Sequence, residues 1–283
     1  MNPARPDGRY RSLSRFAKTR FRTPKLTLRN MPRLAFISDI HANLPALEAV
    51  IEDVRRAGAD RIICLGDIVG YGPQPSECVD LVFDVCDTVV MGNHDEAAVR
   101  PNFKANFYEH ARQSIEFTRS KLSAQQRSRL QTVPDRARIE GVSLTHASFG
   151  ERRFAYLYDE QAATESFAGL RTRVGVVGHT HVPCAFIRPC GPASLRKNAD
   201  DVRACPLAPN ALMQLPDDHV MILNPGSVGQ PRDRNPDAAW GLLDTDELTF
   251  QVRRVSYDIE AVSALMRELG LPQCNSERLL IGA

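Results

Sequence analysis

The chain is poor in aromatic residues: one Trp is present, and Phe, Trp and Tyr together make up 7% of 283 residues. No stretch approaches 18 consecutive apolar residues, which excludes an apolar membrane-spanning helix. No two cysteines have C-x-x-C spacing, and the seven Cys are odd in number. A chain of this length can bury a core without staples, so a disulfide framework is not expected. A reducing compartment, the cytoplasm, is the expected location. Cys190 and Cys205 lie in a Pro-rich stretch, but no second pair completes a zinc site there. There is no internal repeat, and the 43% hydrophobic and 25% charged composition excludes a collagen, a coiled-coil rod or a wholly disordered chain.

Acidic residues are nearly missing from one segment. Residues 1–30 hold seven Arg, two Lys and one Asp, a net +8, which leaves −6 on the rest of a chain whose total is +2. The basic character therefore belongs to the head alone, and so does any attraction to nucleic acid. No apolar run follows to make a secretory signal. The head is expected to lack packed structure. It reads as a disordered segment before a true start at Met31, as an organellar targeting segment, or as a nucleic-acid-binding arm.

From residue 33 the pattern alternates strand and helix. Strands are expected at Leu34–Ile37, Arg61–Leu65 and Thr88–Met91, with helices at Pro45–Ala57 and Ser76–Asp84 between them. Leu47, Val50, Ile51 and Val54 share one face of the first helix, which opens on Pro45 and stops before Gly58. Residues 105–132 read as helical, with a break at the capping box Ser123-Ala124-Gln125-Gln126. Further strands are expected at Val142–Thr145, Val174–Val177, Cys184–Ile187, Val220–Leu223, Trp240–Leu243 and Leu248–Val255, before a closing helix at Ile259–Leu269. Residues 189–217 hold five Pro and no periodicity, and read as a surface loop insertion. The expected organisation is a head, 1–30, and a single domain, 31–283, with a helical insertion at 97–133. Early βα units followed by a strand-rich half predict an α/β fold of two packed sheets with helices outside.

The informative residues are histidines. Five of the seven fall in short motifs just after strands: Asp39-Ile40-His41, Gly92-Asn93-His94-Asp95, Thr145-His146 and Gly178-His179-Thr180-His181. Gly66-Asp67 ends another strand. Ligands of open α/β sheets bind at the carboxyl ends of strands. In Asp39-x-His41 an extended chain would turn both side chains the same way, and His179-x-His181 repeats the spacing. The Gly before Asp67, Asn93 and His179 would permit a tight turn. Oxygen and imidazole donors without thiolate suit Mn, Fe, Zn, Co or Ni. Taken singly each motif has a plain structural explanation: Asp39 as a helix cap, Asn93 as a turn residue, His146 as a satisfied core histidine. Five in order at strand ends outweigh those readings. His110 and His219 lie outside the motifs; His110, on the helical insertion, reads as solvated or as lining a substrate entrance, and His219 reads as exposed. Asn43 reads either as a contact behind the site or as the N-cap before Pro45.

The series Asp-x-His, Gly-Asp, Gly-Asn-His-Asp, His and Gly-His-x-His resembles the calcineurin-like metallophosphoesterases over nearly all of residues 32–283. The turn Gly70-Tyr71-Gly72-Pro73 and the stretch Asn224 to Arg232 resemble the small prokaryotic, phosphodiesterase-like branch. The resemblance implies a four-layer α-β-β-α sandwich of two mixed sheets with the metal site at the carboxyl ends of the strands. It implies two divalent cations, Mn first. Asp39, His41 and His181 would hold one, Asn93, His146 and His179 the other, and Asp67 would bridge. It further implies hydrolysis of a small or nucleotide-like phosphoester by a metal-activated hydroxide, with His94 as general acid and Asp95 orienting it. The protein Ser/Thr phosphatases continue Gly-Asp as x-Val-Asp-Arg-Gly, where this chain has Gly70 and Tyr71 at the Asp and Arg positions, and they have Gly-Asn-His-Glu. The departure disfavours protein phosphatase activity and the symmetrical diadenosine tetraphosphate hydrolases that share that Arg. Arg232 is the candidate replacement clamp and Asn43 a second substrate-binding candidate. The plain alternative for Arg232 is an ion pair with Asp233 or Asp237. Two other functions share the fold class: a nuclease using the basic head, and a non-catalytic scaffold, which the filled ligand positions count against. The substrate and the oligomeric state are left open.

Overall fold

The computed structural model describes residues 31–100, 103, 107–190 and 201–283. The head, and the readings made of it, lie outside the described residues, as do residues 191–200.

Leu34 and Phe36 alternate with Ala35 and Ile37 along β1 (Arg33–Ile37), and both sets are fully buried. A strand apolar on both faces must lie between two layers. One face joins Ile63 and Leu65 against Leu144, Val176, Met221 and Leu223 of a second sheet. The other packs under α1 (Leu44–Ala57), whose Leu47, Val50, Ile51 and Val54 form the expected apolar stripe.

The chain continues through β2 (Arg61–Cys64), α2 (Pro75–Val85), β3 (Thr88–Val89), α3 (Asn93–Val99), α4 (Glu109–Lys121) and α5 (Ala124–Gln131). Next come β4 (Arg136–Ile139), β5 (Val142–Thr145), α6 (Glu160–Gly169), β6 (Val174–Val176) and β7 (Cys184–Pro189). The remaining elements are β8 (Arg203–Pro206), β9 (Leu212–Gln214), β10 (His219–Asn224), β11 (Ala238–Asp244), β12 (Thr249–Val255), α7 (Ile259–Glu268) and α8 (Gln273–Ile281). The first sheet runs β3-β2-β1-β11-β12-β9 and the second β4-β5-β6-β10-β7-β8. Both are mixed: β1, β2 and β3 are parallel and β11 antiparallel to them, while β5, β6 and β10 are parallel and β7 antiparallel. Phe149, Ala163 and Phe167 cover the outer face of the second sheet at Phe186 and Ile222. The layers are thus α1 and α2, sheet, sheet, α6, the expected four-layer sandwich.

Ser123 and Gln126 form the expected capping box at the start of α5. The stretch 189–217 departs from the loop reading. Its described part contributes β8, which pairs with β7, and β9, which pairs with β12, so it extends an edge of each sheet. Short edge strands interrupted by proline show no period of two, because Pro cannot donate to a ladder. Four further elements, α3, β4, α6 and α8, carried too little periodicity over their short lengths to stand out.

Candidate metal centre

The parallel pairings bring the carboxyl ends of β1, β2 and β3 together, and β5 and β6 end beside them in the other sheet. Two glycines set how closely. Gly66 sits at φ +94°, a left-handed conformation that a side chain resists. Gly92 packs on Asp67, since a Cβ there would lie 2.1 Å from both its amide nitrogen and its Oδ1.

The ligand candidates are not on extended chain. Asp39, His41, Asp67, His179 and His181 all have positive φ, between 48° and 68°. The equal facing of Asp39 with His41, and of His179 with His181, therefore comes from left-handed turns and not from a strand's period of two. Such conformations are costly for non-glycine residues and cluster at functional sites. Backbone bonds hold them: the amides of Asp39 and His41 donate to the carbonyls of Gly66 and Asp67, at 3.0 and 2.9 Å.

All seven candidates, Asp39, His41, Asp67, Asn93, His146, His179 and His181, are buried. His41 Nε2 lies 3.2 Å from His181 Nε2, and His181 Nε2 lies 3.3 Å from Asp39 Oδ1. His146 Nε2 lies 3.1 Å from His179 Nδ1, 3.2 Å from Asn93 Oδ1 and 3.3 Å from Asp67 Oδ2. Asp67 Oδ2 is also 3.7 Å from His41 Nε2, so this carboxylate stands between the two groups. Its other oxygen accepts the His94 amide at 2.9 Å, at the start of α3.

The histidine tautomers fit cation binding. The Nδ1 atoms of His41, His146 and His181 sit 3.1, 2.8 and 2.6 Å from the carbonyl oxygens of Val69, Leu65 and Gln230. Each donates Nδ1–H outward and so turns Nε2 inward as the atom that would ligate, the usual arrangement of a ligating imidazole. Lone pairs meeting nitrogen to nitrogen at about 3 Å in a buried site need a cation or a proton between them.

Charge favours the same reading. Burial opposes ionisation of Asp39 and Asp67, yet the surrounding histidines outweigh it and hold both well below the usual carboxylate range. Burial pushes His41 and His181 down and takes His179 to about 3. His146 goes the other way. Burial would lower it, but Asp67 and then Asp39 overcome that and hold it at about 9.

His94 lies against this cluster, with its ring centroid 4.8 Å from that of His41 and 4.5 Å from that of Tyr71. Its Nδ1 is buried and has no partner among the described residues. It sits close enough to His41 and Asp67 to count as a third possible donor group. No hydrogen bond among the described residues joins Asp95 to it. The Asp95 carboxylate accepts the amides of Ile68, Val69 and Gly92, at 2.8, 3.1 and 3.2 Å, and so pins the β2 turn to the start of α3. Asn43 is likewise committed elsewhere. It caps α1 by accepting the Ala46 amide at 3.3 Å, and donates to Gly229 O and the Tyr257 hydroxyl, so both of its N–H donors are used within the fold.

Arg232 is not needed by Asp233, which pairs with Arg254. Its guanidinium lies over the Tyr71 ring at 5.9 Å and donates to Gln230 Oε1 at 3.0 Å, while its buried Nε has no partner among the described residues. Of the outlying histidines, His219 pairs with Asp218 at the surface, whereas His110 lies parallel to Tyr108 and faces Tyr71.

Sequence reasoning passed over the supports. Asn224 donates to Gly178 O and Thr180 Oγ1, Ser227 Oγ donates to Asp39 O, and Gln230 O receives His181. The Asn224–Arg232 stretch is thus the brace of the Asp39 and His181 turns. It also passed over Tyr71 as a ring against His41 and His94, and Tyr156, which stacks on His179 at 4.0 Å. Tyr71 stood in the quoted Gly-Tyr-Gly-Pro turn. Tyr156 carried no local signal.

The fold and this histidine–aspartate edge define a metal-dependent phosphoesterase class, and comparison with known proteins agrees. The sequence model of the calcineurin-like phosphoesterase superfamily domain matches residues 33–248, and the chain belongs to that family. It is 31% identical over 254 residues to an uncharacterized protein of Methanocaldococcus jannaschii, covering 88% of this chain and 98% of that one. Phosphodiesterase YfcE of Escherichia coli K12 is 27% identical over 228 residues, 77% of this chain and 91% of its own. The crystal structure of a metallophosphoesterase from Sphaerobacter thermophilus superposes with a TM-score of 0.77 at 36% identity, covering 90% of this chain and all of the other. No helix among the described residues is long and apolar enough to cross a membrane.

Proposed function

We propose that the chain hydrolyses a small phosphoester with the aid of two divalent cations. Asp39, His41 and His181 would hold one cation and Asn93, His146 and His179 the other, with Asp67 shared. The observation that carries this is the inward convergence of these buried donors, with three imidazoles locked from behind by carbonyl oxygens. Two cations held there supply Lewis acidity to a phosphoryl group and to water. Manganese is the first candidate, and the oxygen and imidazole set also suits Fe, Zn, Co or Ni.

The chain's own groups supply the rest. Arg232 offers an unpartnered buried Nε and its fixed charge to a phosphoryl oxygen. His94 delivers a proton to the departing oxygen. Burial first, against the pull of Asp67, takes His94 down to about 4, so its ring is neutral while the site is open. An anionic phosphoryl group seated beside it favours the charged form, against the two cations, which would oppose it.

Elemental analysis after loading with manganese and desalting tests the metal assignment. Two ions per chain are expected, and one ion at saturation refutes the dinuclear reading. Rates on bis-p-nitrophenyl phosphate against p-nitrophenyl phosphate separate diester from monoester preference. Failure to turn over either with any of the five metals refutes hydrolysis.

A further inference from the structure

Many arginines of this chain face a carboxylate, as Arg153 does Asp135, Arg173 does Asp217 and Arg253 does Asp53. Others, such as Arg119 and Arg136, cap carbonyl oxygens. Arg278 does neither among the described residues. Its guanidinium Nη1 lies 3.5 Å from His110 Nε2, at the long limit of a hydrogen bond, so its donors are left largely unspent.

The fold puts it there. Asn275 of α8 donates to Ser114 Oγ of α4 at 3.0 Å in a buried contact. One turn away along each helix, Arg278 and His110 meet. Leu279, the next residue of α8, borders the same small gap as His41 and Tyr71. The end of α8 is tied to the loop beyond Arg232, where the Arg234 amide donates to Gly282 O at 2.8 Å. From the donors the rings step outward: His41 to Tyr71 at 4.6 Å, then Tyr71 to His110 at 6.2 Å. His41 and Tyr71 are buried, and His110 and Arg278 are half-buried.

The acids nearby are already engaged: Glu109 with Arg112 and Gln113, Glu277 with Gln273, and Asp233 with Arg254. The charges of Arg232 and Arg278 both bear on the Tyr71 hydroxyl and on the His110 ring. Two uncompensated guanidiniums beside one aromatic wall repel each other, and an anion placed there removes that cost. Arg232 faces the donor cluster. Arg278 stands beyond Tyr71 and His110, so it serves a second group.

Resting on the phosphoesterase reading above, we infer that Arg278 and His110, at the junction of α8 and α4, form a second anion subsite, and that the substrate is a phosphoester carrying a second anionic group. The scissile phosphoryl group lies at the donor cluster under Arg232, and the second group pairs with Arg278 across the Tyr71 ring. A guanidinium fork takes a phosphate or a carboxylate in the same way.

Equilibrium binding tests this, read by titration calorimetry on the full chain loaded with manganese. The ligands are alkylphosphonates of two to four carbons, and the α,ω-bisphosphonates and ω-carboxyalkylphosphonates of matching length, none of which can be hydrolysed. At the best length, a ligand with the second anion should bind wild type about tenfold to a hundredfold tighter than its alkylphosphonate, the size of one charge-assisted hydrogen bond. The series that shows the gain identifies the second group as phosphate or carboxylate. Arg278→Gln should erase the gain and leave alkylphosphonate binding unchanged, and Arg278→Lys, which keeps the charge, should recover part of it. Chelation of manganese by free ligand is the same for every variant and cancels. No gain at any length, a gain that survives Arg278→Gln, or equal weakening of both kinds of ligand overturns the inference. A protein that shows the gain but hydrolyses no phosphoester keeps this subsite and loses the proposed function. One that hydrolyses singly charged esters and shows no gain does the reverse.

Discussion

Metal binding should release few protons, and their number is set by the carboxylates around His146. At pH 6, four histidines with ordinary pKa values near 6.5 would together carry about three protons. All would have to leave before the imidazoles could ligate, because only the neutral ring offers a lone pair. The site changes this count. Burial first lowers His41 and His181 and takes His179 to about 3, which favours the neutral rings before any cation arrives. His146, 3.3 Å from Asp67 and held up to about 9, keeps its proton and must give it up. Asp95 is a second reservoir: burial, then the charge of Asp67, raises it to about 7, and a cation beside Asp67 draws its proton off. Between one and two protons should therefore leave the wild type at pH 6, and about one should leave Asp95→Asn. Titration calorimetry with manganese in buffers of different ionisation enthalpy reads this number directly. Release of about three protons from both proteins would show that the histidines are not held neutral by burial. Release of none would place the His146 proton wrongly. The same displaced protons predict that apparent affinity tightens between about tenfold and a hundredfold per pH unit near pH 6, falling to about tenfold per unit by pH 8 once Asp95 has ionised.

His94→Ala should keep both metals and lose about 10²–10⁴-fold in kcat with little change in KM, less for esters with good leaving groups; kinetics over a leaving-group series and metal analysis check it, and loss of a metal would make His94 a ligand. Gly92→Ala should cost about 2–3 kcal/mol and part of the metal affinity, because its Cβ would strike the Asp67 backbone 2.1 Å away; thermal melts with and without manganese read both. Metal-free protein should lose stability above neutrality. The folded pKa of His146, about 9, lies above the unfolded 6.5, so its contribution is full below 6.5 and gone once pH passes 9; denaturant unfolding across that window tests it, and manganese should flatten the profile. A chain beginning at Met31 should keep its specific activity, since every candidate donor lies at or beyond Asp39, and an activity assay on the shortened chain decides it.

Residues 33–64 show how far local sequence reached. The apolar run of β1, the 3.6-residue stripe of α1 and its Gly58 stop are written in neighbouring residues, and the structure matches them within a residue. The donors were legible for a similar reason: each motif alone has a plain structural explanation, but Asp, Asn or His directly after an apolar run recurs five times along the chain. Where the signal was not local, it failed. Asp95 looked like a partner of His94 because they are adjacent in sequence, but three amides from two different turns claim its carboxylate. For Asn43 the N-cap reading held, being local, while its bond to Tyr257, more than two hundred residues away along the chain, left no trace in the neighbouring residues.

The sequence by itself determined which groups could ligate and where strands deliver them, because periodicity and strand-end chemistry are properties of short segments. Tertiary structure decided which oxygen faces which nitrogen. The pairing of β1 with β2 and of β5 with β6, and the packing of one sheet on the other, bring Asp39 to the His179 amide and Asp67 to His146. It also decided the left-handed turns, the carbonyl locks behind the imidazoles and the stacking of Tyr156 on His179. Each of these depends on two segments distant in sequence meeting within a few ångströms, and no local pattern encodes that distance.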